Sequence, residues 1–215
     1  MVSAKLLNPY LELWKAQRKD LHSRTSEILR ALVARDAARL KTLKQARSRY
    51  THTYAYAVPT EEAILTIAQF APIVEIGGGT GYWAWLLRQA HVDVVCYDVR
   101  PPTRDSNENA FHSLSTCWTE VRRGDEGALD EHPDRTLFLC WPPAGDPMAA
   151  RALRRYQGTV FVYVGEIPSS NGVRACTGDE AFFQLLAERW TPVRTVRLPN
   201  WEFCWDRLYV FRLRD

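Results

Sequence analysis

The chain has 215 residues, 46% hydrophobic and 25% charged, which suits one globular domain that buries a core without covalent staples and excludes a disordered or fibrous polymer. No apolar run reaches the ~18 residues of a membrane span, and MVSAKLLNPYLELWK lacks the succession of a secretory signal, so a soluble, cytoplasmic protein without a membrane partner is expected. Residues 1–50 carry twelve Lys and Arg against four Asp and Glu, a net +8, and the remainder carries sixteen against twenty-one, a net −5, so the two parts are electrostatically different.

Residues 3–50 read as helix. Apolar residues at Leu7, Tyr10/Leu11, Trp14, Ile28/Leu29, Leu32/Val33, Leu40 and Leu43 follow three- and four-residue steps, in a segment rich in Ala, Leu, Arg and Lys. Ser23 or Thr25 is placed to cap a second helix, with Glu27 in its first turn. HTYAYAVP then breaks the pattern and Pro59 stops a helix. This divides the chain into a helical N-terminal extension or cap, 1–58, and a main domain, 59–215. The domain opens with a short helix from Thr60 to near Phe70.

From there the period changes. Strands are expected at 73–76, 92–97, 119–123, 136–141, 159–164, 193–198 and 208–213. Helices are expected at 81–90, 147–156 and 179–190, the last capped by Thr177 or Asp179, with a weak helix within 101–118. Strands alternating with helices predict an α/β fold, a Rossmann-like seven-stranded, mostly parallel sheet with helices on both faces. The connection 199–207 is too short for a crossover, so the last strand runs antiparallel. Cys96, Cys117, Cys140, Cys176 and Cys204 form neither a CxxC pair nor a Cys/His cluster, so reduced thiols and no metal are expected.

VEIGGGTGYW, residues 74–83, is strand, glycine turn and helix start. Glycine permits positive φ and close ligand approach, and the helix start offers free N–H groups. The dinucleotide fingerprint G-x-G-x-x-G fails, because Tyr82 stands where its third glycine belongs. Glu75, Gly77, Gly79 and Gly81 instead give E-x-G-x-G-x-G, which resembles the cofactor loop of class I S-adenosylmethionine-dependent methyltransferases. The resemblance extends to Asp98 at the end of the second strand and to Gly124-Asp125 after the third, and covers residues 72–213. It implies S-adenosylmethionine as cofactor and S-adenosylhomocysteine as product, held by Glu75, Gly77, Gly78, Gly79, Gly81, Asp98 and Asp125. By the same resemblance Asp98 grips the ribose hydroxyls and Asp125 the adenine amine.

In open α/β sheets the ligand lies beyond the strands' carboxyl ends. LCWPPAGD, 139–146, therefore lies beside the reacting methyl. Methyltransferases of base amines carry Asn or Asp before Pro-Pro; Trp141 stands there and fits instead as a cation–π wall for the sulfonium. Glu166, ending the fifth strand, is a candidate general base or substrate orienter, and the small, polar loop 167–178 after it a candidate lid. His52, Tyr54 and Tyr56 enter near the site and would close it, Tyr56 as a catalytic-pocket residue. Trp201 is either a pocket wall or a hairpin anchor, Trp205 and Asp206 lie in the same hairpin, and His112 is a further candidate base. The expected activity is methyl transfer to oxygen or nitrogen of a small-molecule acceptor. The alternative is a nucleic-acid or protein methyltransferase gripping its substrate with the basic N-terminal helices, which would otherwise serve as a homodimer contact.

Overall fold

The computed structural model describes residues 6–168 and 175–214. Its sheet has seven strands: β1 (Ile73–Ile76), β2 (Val94–Asp98), β3 (Arg122–Arg123), β4 (Thr136–Cys140), β5 (Val160–Gly165), β6 (Trp190–Arg197) and β7 (Arg207–Leu213), in the order β3-β2-β1-β4-β5-β7-β6. β1 pairs parallel with both β2 and β4, and β7 runs antiparallel between β5 and β6. The order reverses between β1 and β4. A ligand crevice opens at such a switch point, beyond the strands' carboxyl ends.

Alternation along the strands makes two cores. Ile73, Phe138 and Val162 face α4 (Glu61–Ala68) and α5 (Tyr82–Gln89), whereas Val74, Leu137 and Phe161 face α6 (Met148–Arg155) and α7 (Glu180–Arg189). Thr60 caps α4 by accepting from Ala63 N, and Asp179 caps α7 by accepting from Phe182 N. Thr177 instead lies buried, its hydroxyl 2.6 Å from that of Tyr163.

The N-terminal segment is not one continuous helix. It forms α1 (Pro9–Gln17), a 3-10 turn (Arg18–Asp20), α2 (Leu21–Val33) and α3 (Ala37–Thr53). α2 begins at Leu21, so Ser23 and Thr25 lie inside it and neither caps it. Arg35 at φ 53° turns the chain back, and Asp36 caps α3 through Arg39 N. Tyr10 and Tyr50 insert into the same core as α4 and α5. The phenolic oxygen of Tyr10 accepts from Trp201 Nε1 at 2.9 Å, and its ring stacks on Tyr54 at 4.8 Å.

Two expectations for the middle of the chain need correction. The third strand is only two residues long, not 119–123, and 101–118 holds turns rather than a helix. Pro101 and Pro102 open that stretch. Asn109 Oδ1 accepts from the backbone of Phe111 and His112, and Ser106 Oγ from Glu108 N, so local side-chain bonds replace the helical ladder. Of the lid expected at 167–178, residues 169–174 lie outside the described residues, as do residues 3–5 of the N-terminal helix. Among the described residues no helix is long and apolar enough to cross a membrane.

Candidate active site

β1 delivers the glycine turn to the crevice. Gly77 N and Gly78 N both donate to Tyr97 O, at 2.8 and 2.9 Å, which ties the turn to the end of β2. Gly79 N donates to Asp98 Oδ2 at 2.9 Å, while Arg100 N donates to Oδ1 at the same distance, so the carboxylate is held by two backbone donors. The turn needs its glycines. Gly77 and Gly79 take φ of 75° and 55°, and a Cβ on them would lie 2.4 Å from Met148 Cε and 2.5 Å from His112 Nε2. Gly81, at φ 69°, stands at the N-cap of α5.

Gly77, Gly78, Gly79 and Asp98, but not Gly81, line a cavity of about 590 Å³, within the range of small-molecule sites. Glu75, Gly77, Gly78, Gly79 and Asp98 form one wall. Asp125 forms a second; its Oδ1 accepts from Gly127 N, and Gly124 N donates to Asp98 O, which joins the ends of β2 and β3. Glu75 is 1% exposed, and its Oε2 has no hydrogen-bond partner. Burial pushes its carboxyl up to about 8, against the lowering effects of Cys96 and Arg88.

Tyr54 and Tyr56 close the third side. The strap is pinned where it leaves α3: the Thr80 hydroxyl donates to Tyr54 O, and Trp118 Nε1 donates to Thr53 O at 2.7 Å. Tyr56 stacks on Trp141 at 4.9 Å and meets His112 edge-on at 5.8 Å. His112 Nδ1 lies 3.1 Å from His52 O, so Nδ1 carries the proton and Nε2 is left as an acceptor. Burial lowers the His112 pKa, keeping the ring neutral. His52 contributes this carbonyl; its side chain is not among the cavity's lining groups.

Trp141 follows β4 with φ 54°, unusual for a large side chain and a mark of a constrained site. Its N–H donates to Val164 O at 2.8 Å and its Nε1 to Asp206 Oδ1 at 2.6 Å. Asp206 is buried, and burial raises its carboxyl to about 7 despite the Trp141 bond. The Arg47 guanidinium lies 5.7 Å from the Trp141 ring centroid.

Three expected site residues stand elsewhere. Glu166 does not line the cavity: Oε2 accepts from Cys176 N at 2.8 Å and Oε1 from Trp205 N at 3.0 Å, so its carboxylate fastens two backbone segments together. Trp201 anchors the hairpin, stacked on Tyr50 at 5.5 Å, and Trp205 is exposed at the surface. The stretch 101–118, by contrast, supplies Asn109, Phe111 and His112 to the cavity. Of these only His112 carried a chemical signal in the sequence. Among the described residues no three His, Cys, Asp or Glu side chains are grouped to hold a metal.

A sheet wound β3-β2-β1-β4-β5-β7-β6, a glycine turn after β1 and carboxylates ending β2 and following β3 now stand together at one crevice. The chain is 30% identical over 123 residues to a protein-L-isoaspartate O-methyltransferase of Synechococcus sp. (strain JA-2-3B'a(2-13)), a match covering 56% of this chain and 50% of that protein. The architecture is a Rossmann-like α/β fold, a mostly parallel seven-stranded sheet with β7 antiparallel. The match spans half the length of that methyltransferase relative. No protein-family model matches the chain. Similar solved structures include an rRNA methylase from Streptococcus thermophilus, 12% identical with a TM-score of 0.42, over 71% of this chain and 94% of that one. Another is the N-methyltransferase NodS from Bradyrhizobium japonicum WM9, 16% identical with a TM-score of 0.41, over 72% and 94%. A third is magnesium protoporphyrin IX methyltransferase from Synechocystis PCC 6803 with bound SAH, 13% identical with a TM-score of 0.40, over 72% and 81%.

Proposed function

We propose that this chain transfers a methyl group from S-adenosylmethionine to an oxygen or nitrogen of a small-molecule acceptor. The observation that carries the reading is the joining of Gly79 N to Asp98 Oδ2 at the switch-point cavity, with the buried, unpartnered Oε2 of Glu75 beside it. That donor set fits the cofactor. Asp98 would accept from the ribose hydroxyls and Asp125 from the adenine amine. Gly77, Gly78 and Gly79 would let main chain lie against the ligand, and the rings of Tyr56 and Trp141 offer π-faces to a cation. When bound, the sulfonium supplies an already activated methyl group.

The chain's own residues then have three tasks. Tyr54 and Tyr56 exclude water from the crevice, which keeps the nucleophile dry and aligned. Trp141, locked by Asp206, fixes the wall against which an acceptor packs. The neutral His112 offers Nε2 as a proton acceptor within the same cavity.

The alternative, a macromolecular substrate gripped by the basic N-terminal helices, draws support from the +8 charge of residues 1–50 and from the protein substrate in the relative's name. Against it, the cavity has the volume of a small-molecule site and aromatic walls from Tyr54, Tyr56, Phe111 and Trp141. Calorimetric titration with S-adenosylmethionine and S-adenosylhomocysteine tests the proposal, with one saturable site expected for each. Absence of heat from both ligands, with the folded protein at high concentration, defeats it. Steeply salt-dependent RNA or DNA binding would move the acceptor to nucleic acid.

A further inference from the structure

Arg47, on α3, is a basic residue that the cofactor site does not use. Its Nε and Nη2 are closed to solvent and have no hydrogen-bond partner. These two atoms form one edge of the guanidinium, the pair of parallel N–H donors that meets a carboxylate in a two-pronged bond. Buried donors of a charged group are costly to leave empty, so an edge with both unmatched is a site awaiting an acceptor. Among the described acids, none lies within ion-pair distance of Arg47. Asp206, whose carboxyl feels the Arg47 charge, accepts from Trp141, and Glu166 accepts from Cys176 and Trp205.

The location relates this edge to the acceptor. Arg47 packs against the Trp141 ring, and Trp141 with Tyr56 walls the cavity at the end of β4, where the transferred methyl belongs. We propose that the methyl acceptor is a small molecule bearing a carboxylate, which Arg47 takes through Nε and Nη2. The rest of the acceptor then lies along the Tyr56–Trp141 wall. The inference rests on the methyltransferase reading for the word acceptor, but the anion site itself does not. A carboxylate held by both prongs has its oxygens occupied, so it is the anchor, and the methylated atom is elsewhere in the molecule. Arg47 is not itself among the groups lining the cavity, so a carboxylate reaches the closed edge by displacing side chains around it.

The test uses the whole chain labelled with ¹⁵N-arginine and ¹⁵N-tryptophan, titrated with sodium acetate against sodium chloride at matched ionic strength. The Arg47 Nε–H resonance, identified by its absence from Arg47→Gln, is expected to shift saturably with acetate, and the Trp141 indole N–H to shift with it. In Arg47→Gln the indole response should vanish. In Arg47→Lys, which keeps the charge and loses the fork, acetate affinity should fall by about tenfold. An Arg47 resonance indifferent to acetate in the wild-type chain overturns the proposal, whatever the variants do. So does an equal indole response in Arg47→Gln, or a response to inorganic phosphate without one to acetate. A parallel titration of the wild-type chain with S-adenosylhomocysteine separates the two readings. If that ligand fails to bind while acetate still finds Arg47, the methyl-transfer reading falls and the anion site stands.

Discussion

Asp98 shows how a single side chain is committed before a ligand arrives. Its oxygens already hold Gly79 N and Arg100 N, both at 2.9 Å, with Asn109 Nδ2 3.5 Å from Oδ1, so the carboxylate is oriented, and in the proposed function its remaining lone pairs meet the ribose. Asp98→Ala is expected to weaken S-adenosylhomocysteine binding by about 1–3 kcal/mol, the cost of leaving buried donors unmatched; calorimetry giving wild-type affinity would remove the ribose role. Gly79→Val forces a branched side chain to φ 55° and toward the His112 ring, so it should abolish binding altogether. A variant that binds normally would detach the glycine turn from the cofactor. These residues were legible because their signal is local: strand, glycine turn and strand-end carboxylate are read within a few positions. Glu166 was misleading for the opposite reason. Its place at a strand end suggested the cleft, but which way its carboxylate turns depends on Cys176 N and Trp205 N, and the latter lies 39 residues away. Arg47 left no trace at all in the sequence, being one of twelve basic residues in a basic segment.

At the scale of elements, the N-terminal helices are tied to the cavity strap through packing. Tyr10 of α1 is fully buried, stacks on Tyr54 and bonds Trp201, so α1 reaches the cavity strap through one ring. Tyr10→Ala should therefore cost about 3–5 kcal/mol of unfolding free energy, as for other buried aromatics, and should also loosen the Tyr54–Tyr56 strap. Denaturant melts read alongside S-adenosylhomocysteine titration would check both effects. A variant with unaltered stability and affinity would make the extension an independent cap. Helix and strand positions were largely readable from period, since both cores follow the alternation of Ile73 and Val74 along β1. The Thr60 and Asp179 caps were readable too, but the ends of the N-terminal helices and the stretch 101–118 were not. There, side-chain bonds from Asp36, Asn109 and Ser106 decide the backbone, and periodicity carries no record of them.

For the whole molecule, the consequence of this design is a pH-dependent stability that runs opposite to the usual acid unfolding. Burial raises Glu75 from 4.5 to about 8 and Asp206 from 3.8 to about 7. Between those limits the unfolded chain has released both protons while the folded chain still holds them. The folded state thus binds more protons, and its stability falls as pH rises through the window, being fully present only below the unfolded values. A tenfold difference in proton affinity between the folded and unfolded chain corresponds to ~1.4 kcal/mol, so the two groups together set an upper bound of several kcal/mol. The melting temperature should therefore decline from mildly acidic to mildly alkaline pH. Glu75→Gln and Asp206→Asn, which keep the shape and remove the titration, should each flatten that decline. Calorimetric melts of the three proteins across the window decide the matter. Equal slopes in all three would mean that both carboxyls ionise freely in the folded chain, and that the cavity floor and the Trp141 lock are wetter than their burial implies.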